Sequence, residues 1–411
     1  MNNDIKIDNK QRQYKEDKIN KERKLYKDRN LLIVFCITLT AVLSVTSISP
    51  AFPMIADVFN ISDTQIGLLI TVFTLPGIIL APIIGILADR LGRKKVLVPS
   101  LILFGIAGTS CIFARSFKML LSLRLIQGIG GAAINSLNNT IIGDLYRDKE
   151  CTIAMGYNAT VLNIGTTAFP LIGGALCALG WYYPFFLPLV AIPIAILVVF
   201  ALDSYDPDNN QDFKKYLKNS MQVLKNKNII ILIIISCLLF TIFYGVYMAY
   251  FPIYIDKSFN PTPLQIGIIL AGMSFTTAAV ASQLGRLSSK FSVKTLLIMG
   301  FAFFGIALLI IPIIPTIWLL FLPIIIYGIG QGISNPMIQS SLARLSDQEY
   351  RGIIMSLSGM SIRLGQTLGP VLFGLIVAIS GIDYVFYAGV MSSLIVVLVI
   401  FKIYSNNYTT D

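Results

Sequence analysis

The chain has 411 residues, of which 55% are hydrophobic and 13% are charged, and its mean hydropathy is +0.75. A water-soluble domain of this length needs far more polar surface, so the composition excludes a soluble globular protein and indicates one that crosses a membrane repeatedly. The formal net charge of +11 does not indicate nucleic-acid binding, because the Lys and Arg residues are scattered among short loops between apolar segments.

The sequence contains no histidine and five dispersed cysteines without a C-x-x-C pair. The lack of histidine removes the side chain that proteins use most for proton shuttling and for binding transition metals. The cysteines fall mostly in apolar runs, where they are typical small buried residues. We therefore expect neither a metal site nor a cofactor.

Residues 1–30 form a polar segment with ten Lys or Arg and six Asp or Glu. Such a segment has almost no apolar surface to bury, so we predict a solvated cytoplasmic tail. Its excess of basic residues also allows a helix lying on anionic membrane lipid.

Twelve apolar runs follow the tail, each close to or longer than the roughly 20 residues that cross a bilayer as a helix. An even number of spans returns the C-terminus to the side of the N-terminus. The polar stretch 203–228 predicts an inner linker between a six-helix bundle at 31–202 and a second at 229–404, with a short tail at 405–411. The runs are 31–55, 64–88, 96–114, 118–142, 152–178, 181–201, 229–255, 262–284, 295–313, 315–342, 351–379 and 383–404.

The turn between the second and third runs, GILADRLGRKK at 85–95, is strongly charged. A charged cluster of this kind must lie in water between two spans. Its basic excess marks the cytoplasmic side, because short loops rich in Lys and Arg stay inside. Of the 32 Lys and Arg residues, 27 fall in segments that this orientation places inside. We therefore predict a protein of the cell membrane with both termini in the cytoplasm.

The same turn resembles the signature loop between helices 2 and 3 of the major facilitator superfamily, which has a glycine, an Asp-Arg pair, a second glycine and a basic pair. The resemblance implies an all-α polytopic membrane protein with twelve transmembrane helices in two six-helix bundles. It also implies that the loop acid latches the two halves on the cytoplasmic side, against the start of the eleventh span near Arg351 and Gly352. A surface ion pair of little consequence is the alternative. The predicted latch residues are Gly85, Asp89, Arg90, Gly92, Arg93 and Asp144.

The two halves of the sequence repeat at an offset of 200 residues. Gln65-Ile66-Gly67 recurs as Gln265-Ile266-Gly267, and Gly85 recurs as Gly285. Further matches join Gly128, Gly130, Gly165, Thr167, Pro170 and Gly174 to Gly328, Gly330, Gly365, Thr367, Pro370 and Gly374. A register held this long predicts two bundles related about the membrane normal, with the substrate site between them.

Arg124 lies within the fourth span, in the segment RLIQGIGGAA. A lone cation inside a span is costly and is a functional candidate by default. The segment resembles a second motif of the superfamily whose arginine is linked to proton coupling; an arginine held by backbone carbonyls as a structural cross-tie is the alternative. The candidates for proton coupling are Arg124 and the acids Asp89, Asp144 and Asp57.

The fifth span carries GTTAFPLIGG at 165–174. It resembles the antiporter signature of drug exporters, except that Phe169 replaces the glycine before Pro170. Small residues let helices approach closely, so this segment and its copy in the eleventh span predict a seam between the two bundles. The seam residues are Gly165, Pro170, Gly173, Gly174, Gly365, Gly369 and Pro370.

A stripe of amide side chains and a series of aromatic residues predict the substrate cavity. The amides recur every four or eight residues on the fourth and tenth spans and therefore share one helical face. Tyr244 and Tyr247 come from the aromatic series of the seventh span, and Arg363 is a cation inside the eleventh. Hydrogen bonding between helices is the alternative for each amide. The predicted cavity residues are Gln127, Asn135, Asn139, Tyr244, Tyr247, Gln331, Asn335, Gln339 and Arg363.

No Asp or Glu lies deep in any predicted span. A cavity without an acid but with Arg363 suits neutral or anionic lipophilic compounds better than cations. We therefore predict a proton-coupled exporter of such small molecules, most like the drug and proton antiporters, acting as a monomer in contact with membrane lipids. An importer of sugars, organic acids or nucleosides with the same fold is the alternative. A membrane enzyme or receptor is less favoured, because no catalytic constellation of side chains is present.

Overall fold

The computed structural model describes residues 25–203, 226–345 and 351–406, and within them it contains twelve helices long and apolar enough to cross a membrane. The predicted all-α fold with twelve spans is confirmed. The predicted tail at 1–30, linker at 203–228 and tail at 405–411 lie largely outside the described residues. The spans are Arg29–Phe59, Asp63–Ala81, Arg93–Phe113, Phe117–Leu145, Lys149–Cys177, Tyr183–Ala201, Lys227–Phe259, Pro263–Ser282, Val293–Ile313, Ile317–Arg344, Ile353–Ser380 and Tyr384–Lys402, here numbered 1 to 12.

The end of the molecule that holds the 85–95 turn is called the inner end, following the orientation predicted from the sequence, and the opposite end is the outer end. At the inner end, the α-helix of span 2 continues past the apolar segment to Leu91. Gly92 then turns the chain with a φ of 97°, a backbone conformation that favours glycine, and the helix of span 3 begins at Arg93. This turn therefore needs the second glycine of the motif.

The outer ends of spans 1 and 7 repeat the same turn 200 residues apart. Both helices end at an asparagine in the left-handed conformation, Asn60 with φ 48° and Asn260 with φ 47°. Spans 2 and 8 then begin with capping boxes, in which the Gln65 and Gln265 side chains accept hydrogen bonds from the backbone of Ser62 and Thr262. The sequence repeat is therefore a structural repeat, down to the residues that start and stop the helices.

Spans 1 and 7 are interrupted in different ways despite this repeat. Span 1 contains a short 3₁₀ segment, Ser49–Ala51, with Pro50 at its centre. Span 7 contains a π-helical segment, Phe243–Tyr250, at the corresponding depth. Such segments rotate the side chains that follow, and they occur often at functional sites.

The start of span 1 is tied to the end of span 6 at the inner end. Arg29 and Asn30 each donate a side-chain hydrogen bond to the Asp203 carboxylate, at 3.0 and 2.9 Å. The Asn30 amide, with the nearby charges of Arg29 and Lys94, holds the pKa of Asp203 below its ordinary value. Asp203 therefore stays ionised at neutral pH, and this contact is lost only as the solution becomes acidic.

The two halves meet where glycines of one half face prolines of the other. A Cβ added to Gly267 of span 8 would lie 2.3 Å from the Pro170 carbonyl of span 5. A Cβ added to Gly67 of span 2 would lie 3.1 Å from the Pro370 carbonyl of span 11. These two contacts are related by the 200-residue repeat, so span 8 packs against span 5 in the same way as span 2 packs against span 11.

Three of the seven predicted seam residues lie at the contact between the halves. Pro170, Gly174 and Pro370 lie between the halves, since a Cβ on Gly174 would come within 2.6 Å of the Pro263 carbonyl. The other four glycines of the prediction were assigned wrongly, because each faces a neighbour in its own half. Gly165 and Gly173 pack against Leu39 and Ser47 of span 1, and Gly365 and Gly369 pack against Cys237 and Thr241 of span 7.

The halves are in contact at the outer end and diverge towards the inner end. Spans 2, 5, 8 and 11, here called the seam spans, are tightly packed in their outer halves. Near the inner ends of their helices, an added Cβ would have no atom within 4 Å at Gly85, Gly156, Gly285 or Gly359. Hydrogen bonds between the halves join Ser49 to the Met248 carbonyl at 2.8 Å and Thr71 to the Thr367 carbonyl at 3.1 Å. The structure is therefore closed at its outer end and open towards its inner end.

We expect Gly267→Ala to favour the state that is open at the outer end. The added methyl group collides with the Pro170 backbone, which cannot yield as a flexible side chain can. Spin labels at positions 62 and 262 should report a longer distance across the outer end. The matched control is Gly285→Ala, which gains the same helix propensity but faces open space; equal distances in the two variants would contradict the prediction.

Candidate substrate cavity

A cavity of about 320 Å³ lies at the centre of the molecule, between the two halves. This volume is at the lower end of the range for small-molecule sites. Both halves contribute to its wall, including Val45 and Phe73 from the first and Phe240, Phe243 and Tyr244 from the second. The wall combines an aromatic surface with polar side chains, which 12 of its 25 lining residues carry, so it can both pack on an apolar ring and hydrogen-bond to a ligand.

Five of the nine predicted cavity residues line this cavity. The amides are Asn135 of span 4 and its counterpart Asn335 of span 10, together with Gln331. Tyr244 and Arg363 complete the group. The 200-residue repeat therefore places Asn135 and Asn335 on opposite walls of one cavity.

Gln127 and Tyr247 do not line the cavity, and their predicted placement was wrong. Gln127 is completely buried inside the first half, where its side chain accepts a hydrogen bond from Arg124 at 2.8 Å. Tyr247 is buried inside the second half, stacks on Tyr327 and donates to the Leu270 carbonyl at 2.9 Å. Helical periodicity gave the correct face only to within about one residue, which was not enough to separate the cavity from the bundle interior.

Asn139 and Gln339 lie one turn nearer the inner end and are not part of the cavity wall. Asn139 is exposed on the same face of span 4 as Asn135. Gln339 accepts a hydrogen bond from the Ser358 hydroxyl at 3.3 Å, within its own half. The inward divergence of the two halves leaves these amides outside the enclosed volume.

Arg363 is the one charged side chain among the residues that line the cavity. Its guanidinium group crosses the seam and lies against Gly77 of span 2, where an added Cβ would be 2.3 Å from Nη1. The sequence indicated the charge, but only the structure shows that both halves form its surroundings. Gln366, one turn further along span 11, lines the same wall and was missed by the amide pattern.

Arg124 lies inside the first half and bonds only to groups of that half in the described residues. It is completely buried and donates to the backbone carbonyls of Leu69 at 3.4 Å and Ser44 at 3.1 Å, and its guanidinium lies 4.4 Å from the centre of the Phe73 ring. These contacts tie spans 1, 2 and 4 together. No carboxylate is among the contacts of Arg124 in the described part of the chain.

The predicted latch residues form a charged cluster at the inner end. Arg93 pairs with Asp89 at 2.5 Å and with Asp144 at 2.9 Å, joining the 85–95 turn to the end of span 4. Arg90 is exposed, and Gly85 has open space around it. In this conformation the Asp89 carboxylate therefore bonds within its own half.

The outer closure is formed by residues that the sequence analysis did not assign. The Tyr250 hydroxyl donates to the Pro370 carbonyl at 2.9 Å and to the Thr64 carbonyl of the other half at 3.3 Å. Lys257 of span 7 forms an ion pair with Asp63 of span 2, nearer the outer surface than Tyr250. Asp57, a predicted proton-coupling candidate, is exposed near this outer end. Asp63 begins the first helical turn of span 2, whereas Tyr250 and Lys257 lie in span 7, and no periodic signal in the sequence showed that these residues bridge the halves.

A twelve-span helical fold in two repeated halves, with a cavity between them that is closed at one end, defines a membrane transporter. The chain matches the model of the Major Facilitator Superfamily over residues 34–257 and 233–410. It therefore belongs to that superfamily, whose members carry small-molecule substrates and are transporters rather than enzymes.

Curated relatives of the chain include exporters. The bacillibactin exporter of Bacillus subtilis is 24% identical over 361 residues, which cover 84% of this chain and 89% of the relative. The class B tetracycline resistance protein of Escherichia coli is 26% identical over 358 residues, covering 84% and 87%. Among solved structures, the nucleoside transporter NupG superposes with a TM-score of 0.77 at 15% identity, covering 91% of this chain and 99% of that one, which establishes the common fold.

We expect Arg124→Lys to lower the free energy of unfolding in detergent by about 1 to 3 kcal/mol, because a lysine cannot keep the fork of contacts to two carbonyls and Gln127. Chemical or thermal unfolding of the purified protein measures this change. Lys118→Arg, on the exposed outer end of span 4, is the control. Unchanged stability together with a shifted pH profile of transport would instead support the proton-coupling role.

Proposed function

We propose that this protein exports small lipophilic compounds, neutral or anionic, across the cell membrane in exchange for protons. The observation that carries the proposal is the central cavity, which has an aromatic wall, no carboxylate among its lining residues and a single cation, Arg363. A cation placed beside Arg363 would be repelled, whereas a neutral or anionic lipophile would not. The exporters among the relatives support outward transport.

Alternating access would follow from a change of contacts at the two ends of the seam. In this proposal the structure corresponds to the state that loads from the inside, because its outer end is closed. Export would require the outer contacts to open while the inner ends of the seam spans come together. The open space around Gly85 and Gly285 leaves room for that approach.

We further propose that Asp89 closes the inner end in the opposite state. Its carboxylate would leave Arg93 and meet the start of span 11, where a negative charge near a helix N-terminus gains roughly 0.3 to 1 kcal/mol. Such a small difference suits a switch, because both states must remain accessible. Asp89, Asp144 and Asp57 are the proposed proton carriers, since none of the cavity residues is an acid.

The driving force also suits export of anions. Exchange of one anion leaving the cell for one proton entering moves two charges inward, and a negative cell interior contributes roughly 2.3 kcal/mol per charge for each 100 mV. The proposal places both termini in the cytoplasm and the protein in the cell membrane as a monomer. The excess of Lys and Arg in the 85–95 turn supports this orientation, because short basic loops stay on the cytoplasmic side.

Inverted membrane vesicles test the function directly. The lumen of an inverted vesicle corresponds to the outside of the cell. When the lumen is acidic, we expect protons leaving it to drive the accumulation of neutral or anionic aromatic dyes inside the vesicles. With the membrane potential held at zero by valinomycin and equal potassium on both sides, nigericin, which dissipates the pH gradient, should abolish accumulation. Selective accumulation of cationic dyes would contradict the proposed substrate class, and net movement out of the vesicles down an imposed proton gradient would indicate an importer.

We expect Asp89→Asn to slow transport about two- to fivefold without changing substrate affinity, because it removes a charge that would stabilise only the outward-open state. Initial rates and equilibrium binding, measured on the same preparation, separate the two quantities. Lys95→Gln, an exposed residue of the same turn, is the control. A wild-type rate for the Asn variant, or a loss of binding, would contradict the latch.

A further inference from the structure

The Arg363 guanidinium has no hydrogen bond or ion pair to any residue in the described ranges 25–203, 226–345 and 351–406. It nevertheless lies at the wall of the central cavity, within a span and between two halves of a membrane protein. An uncompensated charge in such a place is costly and is found where it serves a function. The five donors of the guanidinium therefore point to a ligand that carries acceptors.

The other arginine within a span shows what a structural arginine requires. Arg124 satisfies its guanidinium with two backbone carbonyls, the Gln127 side chain and the face of Phe73, and it is sealed from the cavity. Arg363 has none of these contacts and is only half-buried. The donors of Arg124 are therefore used by the fold, whereas the donors of Arg363 remain available to a ligand.

Gly77, in the opposite half, leaves room for the Arg363 guanidinium. The absence of a side chain at Gly77 lets Nη1 and Cζ lie where a Cβ would be only 2.3 and 3.1 Å away. The site is therefore complete only while spans 2 and 11 are together. Movement of the two halves would therefore change the surroundings of a bound anion and weaken its binding, and a transport cycle requires such a change.

The surroundings of Arg363 define the rest of the ligand. Phe240, Phe243 and Tyr244 offer an aromatic wall on which a planar ring can pack. The Gln331 side chain, in the same cavity, has a buried oxygen without a hydrogen-bond partner. A ligand with a hydroxyl or amide donor on its ring would satisfy that oxygen.

We propose that Arg363 is the anion-binding group of the cavity and that it selects planar aromatic organic anions, carboxylates or sulfonates, over neutral and cationic analogues of the same shape. The inference rests on the proposed transport function for its physiological meaning but not for its test. A guanidinium fork binds a carboxylate or sulfonate through two parallel hydrogen bonds, which a point charge does not reproduce. Arg363 also keeps its charge over the whole physiological pH range.

The test uses three probes of one shape: 2-naphthoate, 2-naphthamide and 2-naphthylmethylammonium. We expect the wild-type protein in detergent to bind 2-naphthoate at least tenfold more tightly than 2-naphthamide, and 2-naphthylmethylammonium most weakly. Arg363→Gln should remove the preference for 2-naphthoate and leave the affinity for 2-naphthamide within about twofold. Arg363→Lys, which keeps the charge but loses the fork, should restore part of the preference.

Gly77→Ala supplies a second variant that keeps the charge. The added methyl group displaces the guanidinium, so affinity for 2-naphthoate should fall while affinity for 2-naphthamide is retained. Lys294→Gln, which removes a positive charge that lies over the Phe401 ring outside the cavity, is the control for net charge and should behave as wild type. Size-exclusion profiles identify any variant that fails to fold.

Two results overturn the anion site: equal affinity of the wild-type protein for 2-naphthoate and 2-naphthamide, or equal losses of both affinities in a folded Arg363→Gln variant. The second would assign Arg363 a structural role. Flux measurements in proteoliposomes separate this question from the direction of transport. If the preference in binding holds and 2-naphthoate moves only inward, the proposed export fails while the anion site stands.

Discussion

The close approach of two helix pairs at the seam is the constraint on which the rest of this structure depends. Gly267 against Pro170 and Gly67 against Pro370 bring backbones together at distances that leave no room for a methyl group. Within a membrane, helices gain little from burying apolar surface, so packing of this kind must hold the halves together. Because these contacts lie in the outer part of the seam spans, the halves can part below them and form a cavity.

The distribution of charge complements that packing. Arg93 gathers Asp89 and Asp144 at the inner end, while Lys257 and Asp63 meet at the outer end. Between these ends, Arg124 donates to the Ser44 carbonyl and the Gln127 side chain, and Arg363 faces the cavity without a counter-ion in the described chain. Ion pairs at the two ends can therefore break and form as the protein changes state. At the central cavity, a bound ligand would supply the negative charge that Arg363 lacks.

The periodic features of the sequence predicted the spans, their number and the repeat at 200 residues, because each depends on local composition or on internal comparison. The amide and aromatic periodicity also indicated Asn135, Gln331, Asn335 and Tyr244, and the charge within a span indicated Arg363; all five line the cavity. The same reasoning misplaced Gln127 and Tyr247, which face their own bundles. A helix has several buried faces in a bundle, and an amide or a tyrosine suits more than one of them. Tyr250, which bridges the seam, was indistinguishable in sequence from an interfacial anchor.

The sequence by itself determined the class of protein, the number of spans, the orientation expected from the basic turn and the presence of two arginines but no deep acid inside the spans. Hydropathy, loop charge and the internal repeat are properties of the chain, and they do not depend on how helices pack. Only the tertiary structure decided which glycines join the halves, which arginine is satisfied and which end is closed. Those features depend on distances between residues far apart in the chain, such as Gly77 and Arg363, and no local pattern contains them.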